Sequence, residues 1–575
     1  MYCGVPLEIV EVCRALQRLE ELVRQLFPLD RQQLRPWVLS GKGQLEEGRQ
    51  AVVGEGARRW SGSLTRLARE RPSGRAEGHV AITSETSLRG KTSLGMLTRG
   101  LASAALGLTI LCVPSVAQER PNFVVIFADD LGFGDLGCYG NRHIRTPNLD
   151  RMAAEGIRLT SFYAQNVCGP SRAALLTGCY PIRLAEPGNT KGPHTILHPQ
   201  EETIAEVLKA KDYVSALIGK WHLAGSGARA RGPGTGPYKR ELLPNNQGFD
   251  YFFGTPSHNG TTREVEPGGW KTELMRNEAV LESPTDLNLI TRRYTEEAIE
   301  FLERNRDRPF FLYLSHTMPH VPLGASPGFK GRSPRGLYGD VIEELDWSVG
   351  KVLDALERLG LDGTTLVIFT SDNGPWIEDH LGDYGGSASP LRGYKMTTWE
   401  GGLRVPGIFR WPGRIPAGQV SDDMASTLDL LPTFAALAGA PLPSGRRLDG
   451  IDLWPWLEGR SKRSPRESFF YFGYTHLQAV RDRRWKLVLD RPADPPWTSW
   501  YGRMIDAVKA PELYDLRFDW SESRNVAVQN ATIVEGMMRM VEEVRLEFGD
   551  YDRTGSGARF FDPGPHRPDM EAWRR

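Results

Sequence analysis

Four runs of strand length constrain this chain most. Phe123–Ala128, Tyr213–Ile218, Phe310–Leu314 and Leu366–Thr370 are almost wholly apolar. Strands without polar alternation are buried on both faces, as in a parallel sheet covered by helices. Segments of helical period alternate with them: Thr203–Ala210, Thr291–Asn305 and Val341–Leu359, the last with Asp340 as N-cap and Gly360 as its stop. The expected fold class is therefore α/β, with a mostly parallel central sheet flanked by helices. The texture changes near residue 446. Ser468–Tyr474, Leu477–Arg481 and Trp485–Asp490 read as short antiparallel strands, and Ile533–Phe548 as a helix. We expect a main domain over 118–445 and a smaller C-terminal α+β domain over 446–575.

Ahead of this body, residues 96–118 follow secretory grammar. Arg99 is the basic start, Leu101–Cys112 the apolar stretch, and Ser115-Val116-Ala117 the small-x-small cleavage site. We read 96–117 as a signal peptide, which sends the body to the periplasm or the extracellular space, or to the lysosomal and secretory route of a eukaryote. Residues 1–95 are expected to be a non-native or disordered extension, with Met96 the functional start. No run of 18 apolar residues exists, so the chain is not expected to be an integral membrane protein. Lys+Arg 71 against Asp+Glu 71 leaves no net charge to draw it to nucleic acid. After the signal only Cys138, Cys168 and Cys179 remain, too few for a disulfide framework. Asn259-Gly260-Thr261 and Asn530-Ala531-Thr532 fit glycosylation acceptors, which matter only in a eukaryotic secretory pathway.

Open α/β sheets bind ligands at the carboxyl ends of their strands. The first run is followed by Asp129-Asp130, and Leu366–Thr370 by Ser371-Asp372-Asn373-Gly374. Tyr213–Ile218 is followed by Gly219-Lys220-Trp221-His222, and Phe310–Leu314 by Ser315-His316, with His320 just beyond. One aspartate after a strand is ordinary turn chemistry; four polar strand ends together are not. Carboxylates and an amide are hard oxygen ligands, suited to Ca²⁺ or Mg²⁺. Lysines and histidines beside a dication imply an anionic ligand. Cys168 precedes an expected helix opened by Pro170 or Ser171, with Arg172 one turn on. From the residues alone, Cys168 is either an activated thiolate or a small buried hydrophobe.

Cys168-Gly169-Pro170-Ser171-Arg172 resembles the C-x-P-S-R motif of the type I, formylglycine-dependent sulfatases. Pro121-Asn122 through Asp135, Thr146–Asp150, Gly219–His222, Ser371–Gly374 and Lys395–Gly402 resemble further motifs of that family, in the same order. The likeness spans roughly 121–525 and is nearest to the arylsulfatase A and N-acetylgalactosamine-6-sulfatase branch. It implies an alkaline-phosphatase-like core and hydrolysis of sulfate monoesters, of a sulfated sugar or an aryl sulfate. It implies that a formylglycine-generating enzyme oxidises Cys168, and that one Ca²⁺ or Mg²⁺ per chain is held by Asp129, Asp130, Asp372, Asn373 and the modified Cys168. By the same resemblance Arg172 holds the formylglycine hydroxyl, Lys220 and Lys395 bind sulfate, His222 assists breakdown of the sulfo-enzyme, and His320 protonates the leaving oxygen. His316 is a weaker candidate. The family often has arginine where this chain has Cys179, and Cys168 and Cys179 are close enough in sequence for a stray disulfide to be considered. Two alternatives stay open: a phosphoester or phosphonate hydrolase of the same superfamily, and an idle sulfate-binding protein with Cys168 unmodified. The substrate and the oligomeric state are not legible. Trp270, Trp376 and Trp399 are candidates to stack a sugar or aryl group, or are packing residues.

Overall fold

The computed structural model describes residues 120–184, 197–224, 238–259, 272–376, 385–495 and 504–559. The 1–95 extension, the 96–117 signal and Trp270 lie outside the described residues. Among those described, no helix is long and apolar enough to cross a membrane.

The four apolar runs become β-strands lying side by side. In chain order the strands of the large sheet are β1 Asn122–Ala128, β2 Ile157–Tyr163, β3 Val214–Lys220, β4 Tyr251–Thr255, β5 Leu274–Arg276, β6 Ala279–Glu282, β7 Phe310–Ser315, β8 Thr365–Ser371, β9 Arg404–Arg410, β10 Gln419–Ser421 and β11 Ala425–Ser426. The spatial order is β10-β2-β9-β8-β1-β7-β3-β4-β5-β6, with β11 also on β2. The central β8-β1-β7-β3 block is parallel throughout and buried on both faces. Antiparallel β9 joins β8 to β2. The expected α/β class with a mostly parallel sheet is what the chain adopts.

Register decides where the polar strand ends go. Phe127 pairs with Ser315 and Thr370, and Gly219 pairs with Ser315. The strands run in one direction and end together. Asp129, Asp372, Lys220 and His316 therefore leave the sheet at one edge. Gly219 makes this close approach possible: its φ is +120°, and a Cβ there would lie 1.8 Å from the Ser315 carbonyl oxygen.

Helices cover both faces. Among them are α1 Cys168–Thr177, α2 Ile290–Asn305, α3 Gly336–Arg358 and α4 Leu430–Ala438. Odd and even residues of β1 feed opposite cores: Phe123, Val125 and Phe127 pack towards α1 and α4, while Val124 and Ile126 pack towards α2 and α3. The expected N-cap of α3 is corrected. The helix begins at Gly336, before Asp340, because the buried Asp340 carboxylate instead accepts the amides of Gly331, Arg332 and Ser333 from the preceding turn. Gly360 ends the helix as expected, at φ +71°.

The C-terminal segments form a second, antiparallel sheet, β12 Phe469–Gly473, β13 His476–Arg481, β14 Trp485–Val488 and β15 Glu512–Asp515, backed by α5 Ala531–Phe548. It is tied to the large sheet through a buried ionic seam. Glu400, fully buried, accepts the hydroxyls of Tyr163 and Tyr471 at 2.6 Å each, and lies 3.2 Å from Lys486 Nζ and 3.3 Å from Arg404. Burial pushes its carboxyl up, but Lys486, Arg481 and Arg404 outweigh that and hold it at about 2.

Candidate active site

α1 starts at Cys168 itself, two residues before the expected opening, with Val167 as the extended N-cap. The whole of Cys168–Thr177 is buried. Cys168 thus stands at the amide-rich end of the helix, facing the strand ends. Its Sγ lies 3.4 Å from Asp129 Oδ1 and 3.8 Å from Asp130 Oδ1. Asp129, Asp130, Cys168 and His320 each bring one ligand atom within 4.8 Å of the others.

Three carboxylates face three cations here. Lys220 Nζ is 2.5 Å from Asp129 Oδ2, Lys395 Nζ is 2.7 Å from Asp130 Oδ1, and Arg172 donates to Asp372 Oδ2 at 2.8 Å. All but Lys395 are 0–1% exposed in their side chains, and Lys395 is 4% exposed. Burial raises the Asp129 carboxyl, yet Lys220, His320 and Arg172 bring it down to about 2. Asp372 goes the other way, raised by burial and by the repulsion of Asp129. Burial also pushes the Cys168 thiol well above its ordinary range, with Asp372 and Asp129 adding to it. That direction argues against the activated-thiolate reading of Cys168.

Asn373 completes the group. Its amide donates to Asp130 Oδ1 at 2.7 Å, and its Oδ1 is buried with no hydrogen-bond partner. Asp130 holds φ +66°, a conformation that costs energy for a non-glycine residue and is concentrated at functional sites. Its amide is fixed by Asp372 Oδ1 at 3.0 Å. An orphaned amide oxygen beside three carboxylates is the donor set of a hard cation. The balance of charge agrees. Three negative and three positive groups cancel, so an added dication leaves the centre positive and selective for an anion.

The two histidines differ in setting. His320 Nε2 is 3.8 Å from Asp130 Oδ2, and its Nδ1 lies 2.5 Å from the Val321 carbonyl oxygen. A carbonyl only accepts, so Nδ1 carries the hydrogen and Nε2 is the atom free to exchange a proton. His222 is buried at φ +59°, its ring 5.6 Å from that of His258.

The strand-end reading named Ser315 without a role and passed over Asn259, and these two hold the groups in place. Ser315 Oγ donates to the Lys220 carbonyl at 2.8 Å and bonds to Arg172. Asn259, 3% exposed, donates to the carbonyls of Thr317 and His320 at 2.9 and 3.0 Å, clamping the loop that carries His320. The glycosylation reading of Asn259 is therefore corrected: its amide nitrogen is buried and already engaged. The stray disulfide is corrected too. Cys168 and Cys179 stand at opposite ends of α1, about 15 Å apart along its axis, beyond disulfide reach. Cys179 Sγ instead meets the Arg559 guanidinium at 3.2 Å. Trp399 is a packing residue, 3% exposed, with its indole N–H on Asp506.

A sulfatase family model matches residues 121–440, and a model of the C-terminal region of N-sulphoglucosamine sulphohydrolase matches residues 394–547. The chain belongs to the sulfatase family. Homo sapiens arylsulfatase A is 40% identical over 472 residues, covering 76% of this chain and 90% of the relative. Mus musculus steryl-sulfatase is 41% identical over 443 residues, 64% of this chain and 69% of the relative. The crystal structure of the PsFucS1 sulfatase from Pseudoalteromonas sp. superposes with a TM-score of 0.63 at 29% identity, covering 79% of this chain and 95% of that one. The phosphonate monoester hydrolase of Agrobacterium radiobacter, at 21% identity and a TM-score of 0.51, shares the fold. This sulfatase is accordingly a sulfuric ester hydrolase on an alkaline-phosphatase-like core.

His316 does not join the sulfatase centre. It is 1% exposed, and its Nε2 pairs with Ser348 Oγ of α3 at 3.2 Å. Burial lowers its pKa from 6.5 to about 3. The folded state keeps it neutral while the unfolded chain protonates it, so its stability contribution is present above 6.5 and lost as pH falls towards 3. His316→Gln should reduce the pH dependence of unfolding in that window by about one proton, roughly 1.4 kcal/mol per pH unit. Urea melts of both proteins at pH 4, 5 and 6 check this; identical slopes would refute it.

Proposed function

We propose that this sulfatase cleaves sulfate monoesters at the centre formed by Cys168, Arg172, Lys220, His222, His320 and Lys395, with Asp129, Asp130, Asp372 and Asn373 holding one Ca²⁺ or Mg²⁺. The observation that carries the reading is the buried, charge-balanced set of three carboxylates and three cations around Cys168. The cation, when bound, polarises the sulfate oxygens and lowers the pKa of the attacking hydroxyl. Cys168, oxidised by a formylglycine-generating enzyme, supplies a hydrated aldehyde: one hydroxyl attacks sulfur and the other later expels sulfate.

The chain's own residues do the rest. Lys220 and Lys395 bind the anionic oxygens and offset the charge that grows on them. Arg172, fixed by Asp372, Ser315 and the Lys220 carbonyl, holds the hydroxyl at position 168. His320 Nε2 gives a proton to the alcohol oxygen as its bond to sulfur breaks. His222 takes the proton of the hydroxyl that remains. The proposed catalytic domain spans 118–445, the signal peptide 96–117 and the exported body begins at 118.

The test is sulfate release from an aryl sulfate by the full chain made with a formylglycine-generating enzyme. Chelation should abolish turnover, and Ca²⁺ or Mg²⁺ should restore it. Undiminished turnover after exhaustive chelation would remove the metal from the reading.

A further inference from the structure

Of the three cations at the centre, Lys395 alone is carried by a turn. Lys220 ends β3 and Arg172 lies within α1. The turn is Tyr394–Thr397, with Lys395 and Met396 as its central residues. The Thr397 amide donates to the Tyr394 carbonyl at 3.0 Å. The Thr397 hydroxyl donates to the same carbonyl at 2.7 Å and accepts from the Tyr394 amide at 3.1 Å. Met396 holds φ +75°. The third position of a type II turn demands such a φ, and glycine or asparagine ordinarily supplies it. A methionine there is strained, and its surroundings must hold it. Asn166 supplies that hold. Its backbone carbonyl accepts the Met396 amide at 2.7 Å, and its side-chain amide donates to the Met396 carbonyl at 2.9 Å. Asn166 is 5% exposed and stands two residues before Cys168. The Met396 side chain packs on Val167, both buried, a contact that glycine would forgo. On the other flank the Lys395 amide donates to the Pro375 carbonyl at 3.0 Å, two residues beyond Asn373. The ammonium end meets Asp130 Oδ1 at 2.7 Å and the Trp376 ring at 5.4 Å from its centroid.

We propose that Asn166 is a positioning residue for sulfate binding: by clamping the strained Met396 it sets the Lys395 ammonium against the group at position 168. The inference rests on the sulfatase reading above, in which Lys395 binds the anionic oxygens of the ester, and adds the residue that fixes where Lys395 stands. Geometry carries it. Asn166 and Met396 are 230 positions apart in the chain, yet their two hydrogen bonds tie the segment entering α1 directly to the turn that displays the lysine. Lysine is a compact charge on a long flexible stem, so its ammonium is placed no better than the backbone that carries it. A group that offsets charge in the transition state must stand ready in place, and an error of about 1 Å costs on the order of a hundred-fold. Asn166 acts on the ester only through Lys395.

The experiment is a double-mutant cycle on the metal-replete full chain, with 4-methylumbelliferyl sulfate as substrate and inorganic sulfate as inhibitor. Asn166→Ala removes the side-chain hydrogen bond. Asn166→Asp keeps the shape but faces the Met396 carbonyl with a group that cannot donate. Rates are divided by the formylglycine content of each sample, measured by mass spectrometry of the Cys168 peptide, because Asn166 lies beside the modified residue. Each variant should lower kcat/KM about ten-fold or more and weaken inhibition by inorganic sulfate by a similar factor. In a Lys395→Ala background the same change should cost less than about two-fold further, whereas in a Lys220→Ala background the full factor should persist. Thermal melting of all samples separates placement from stability. A merely structural Asn166 would lower the melting temperature in every background and leave sulfate inhibition where it was. Should Asn166→Ala not fold, Asn166→Asp carries the same comparisons. Unchanged sulfate inhibition, or a full loss repeated in the Lys395→Ala background, would overturn the clamp while leaving the sulfatase reading intact. Sulfate inhibition untouched by Lys395→Ala itself would remove Lys395 from sulfate binding, and the clamp with it.

Discussion

Cys168→Ala is expected to abolish turnover, by on the order of a thousand-fold or more, with little loss of stability. The side chain is small and stands at the first position of α1 with no strong hydrogen bond to lose, its nearest contacts being carboxylate oxygens at 3.4 and 3.8 Å. The result separates chemistry from folding. Cys168→Ser is the sharper variant. It restores one hydroxyl beside the cation, and one hydroxyl is enough to attack sulfur. The sulfate ester so formed has no second hydroxyl to expel it, so product should appear once per chain and then stop. Mass spectrometry of the active wild type should find the Cys168 peptide lighter by about 18 Da, the opposite direction from the thiol oxidation ladder. A fully active enzyme whose Cys168 remains an alkylatable thiol would overturn the mechanism.

Asp372→Ala should also be inactive, but for a different reason and with a measurable cost to the fold. Asp372 accepts from Arg172 and from the Asp130 amide, and all three are buried. Removing it takes the nearest carboxylate from the buried Arg172 guanidinium and leaves it Asp129 Oδ2 at 3.7 Å, Ser315 and the Lys220 carbonyl, which should lower stability by about 3 kcal/mol. Asp372→Asn isolates the second role. The amide oxygen still accepts from one neighbour, so the fold should survive, while the lost charge should empty the cation site. Thermal melting, metal analysis and sulfate release on the same samples distinguish the cases. A folded Asp372→Asn chain carrying one cation and turning over at the wild-type rate would show that Asp372 is not a ligand.

The central strands were readable because burial on both faces leaves no polar alternation, as in Phe123–Ala128. β9 was not. Arg404-Val405-Pro406 opens on a charge and a proline, both arguments against an interior strand. The fold accommodates it because Glu400 meets Arg404, while Glu155 and Asp362 meet Arg410. Those partners are distant in sequence or unremarkable within it. β10 is largely exposed and three residues long, too short to carry a pattern. The site divides in the same way. Asp129, Asp130, Asp372, Asn373 and Lys220 could be found because each follows an apolar run. Lys395 and the roles of the histidines came from resemblance. Ser315 and Asn259 needed the structure, since their work is to bond backbone carbonyls that no local spacing announces.

The Glu400 seam limits how this protein can be taken apart. Glu400 lies five residues after Lys395 and draws its neutralising charges from β13 and β14 as well as from β9. An enzyme shortened at residue 446, or given the C-terminal sheet of a relative lacking Lys486 and Arg481, would leave the Glu400 anion with Arg404 as its one remaining cation from this seam, close in sequence to the proposed sulfate-binding Lys395. Such chimaeras should be made by exchanging Glu400, Tyr163, Tyr471, Arg481 and Lys486 as one hereditary unit. Loss-of-function variants should accordingly turn up in the C-terminal sheet, remote along the chain from the residues proposed to bind the cation and the sulfate.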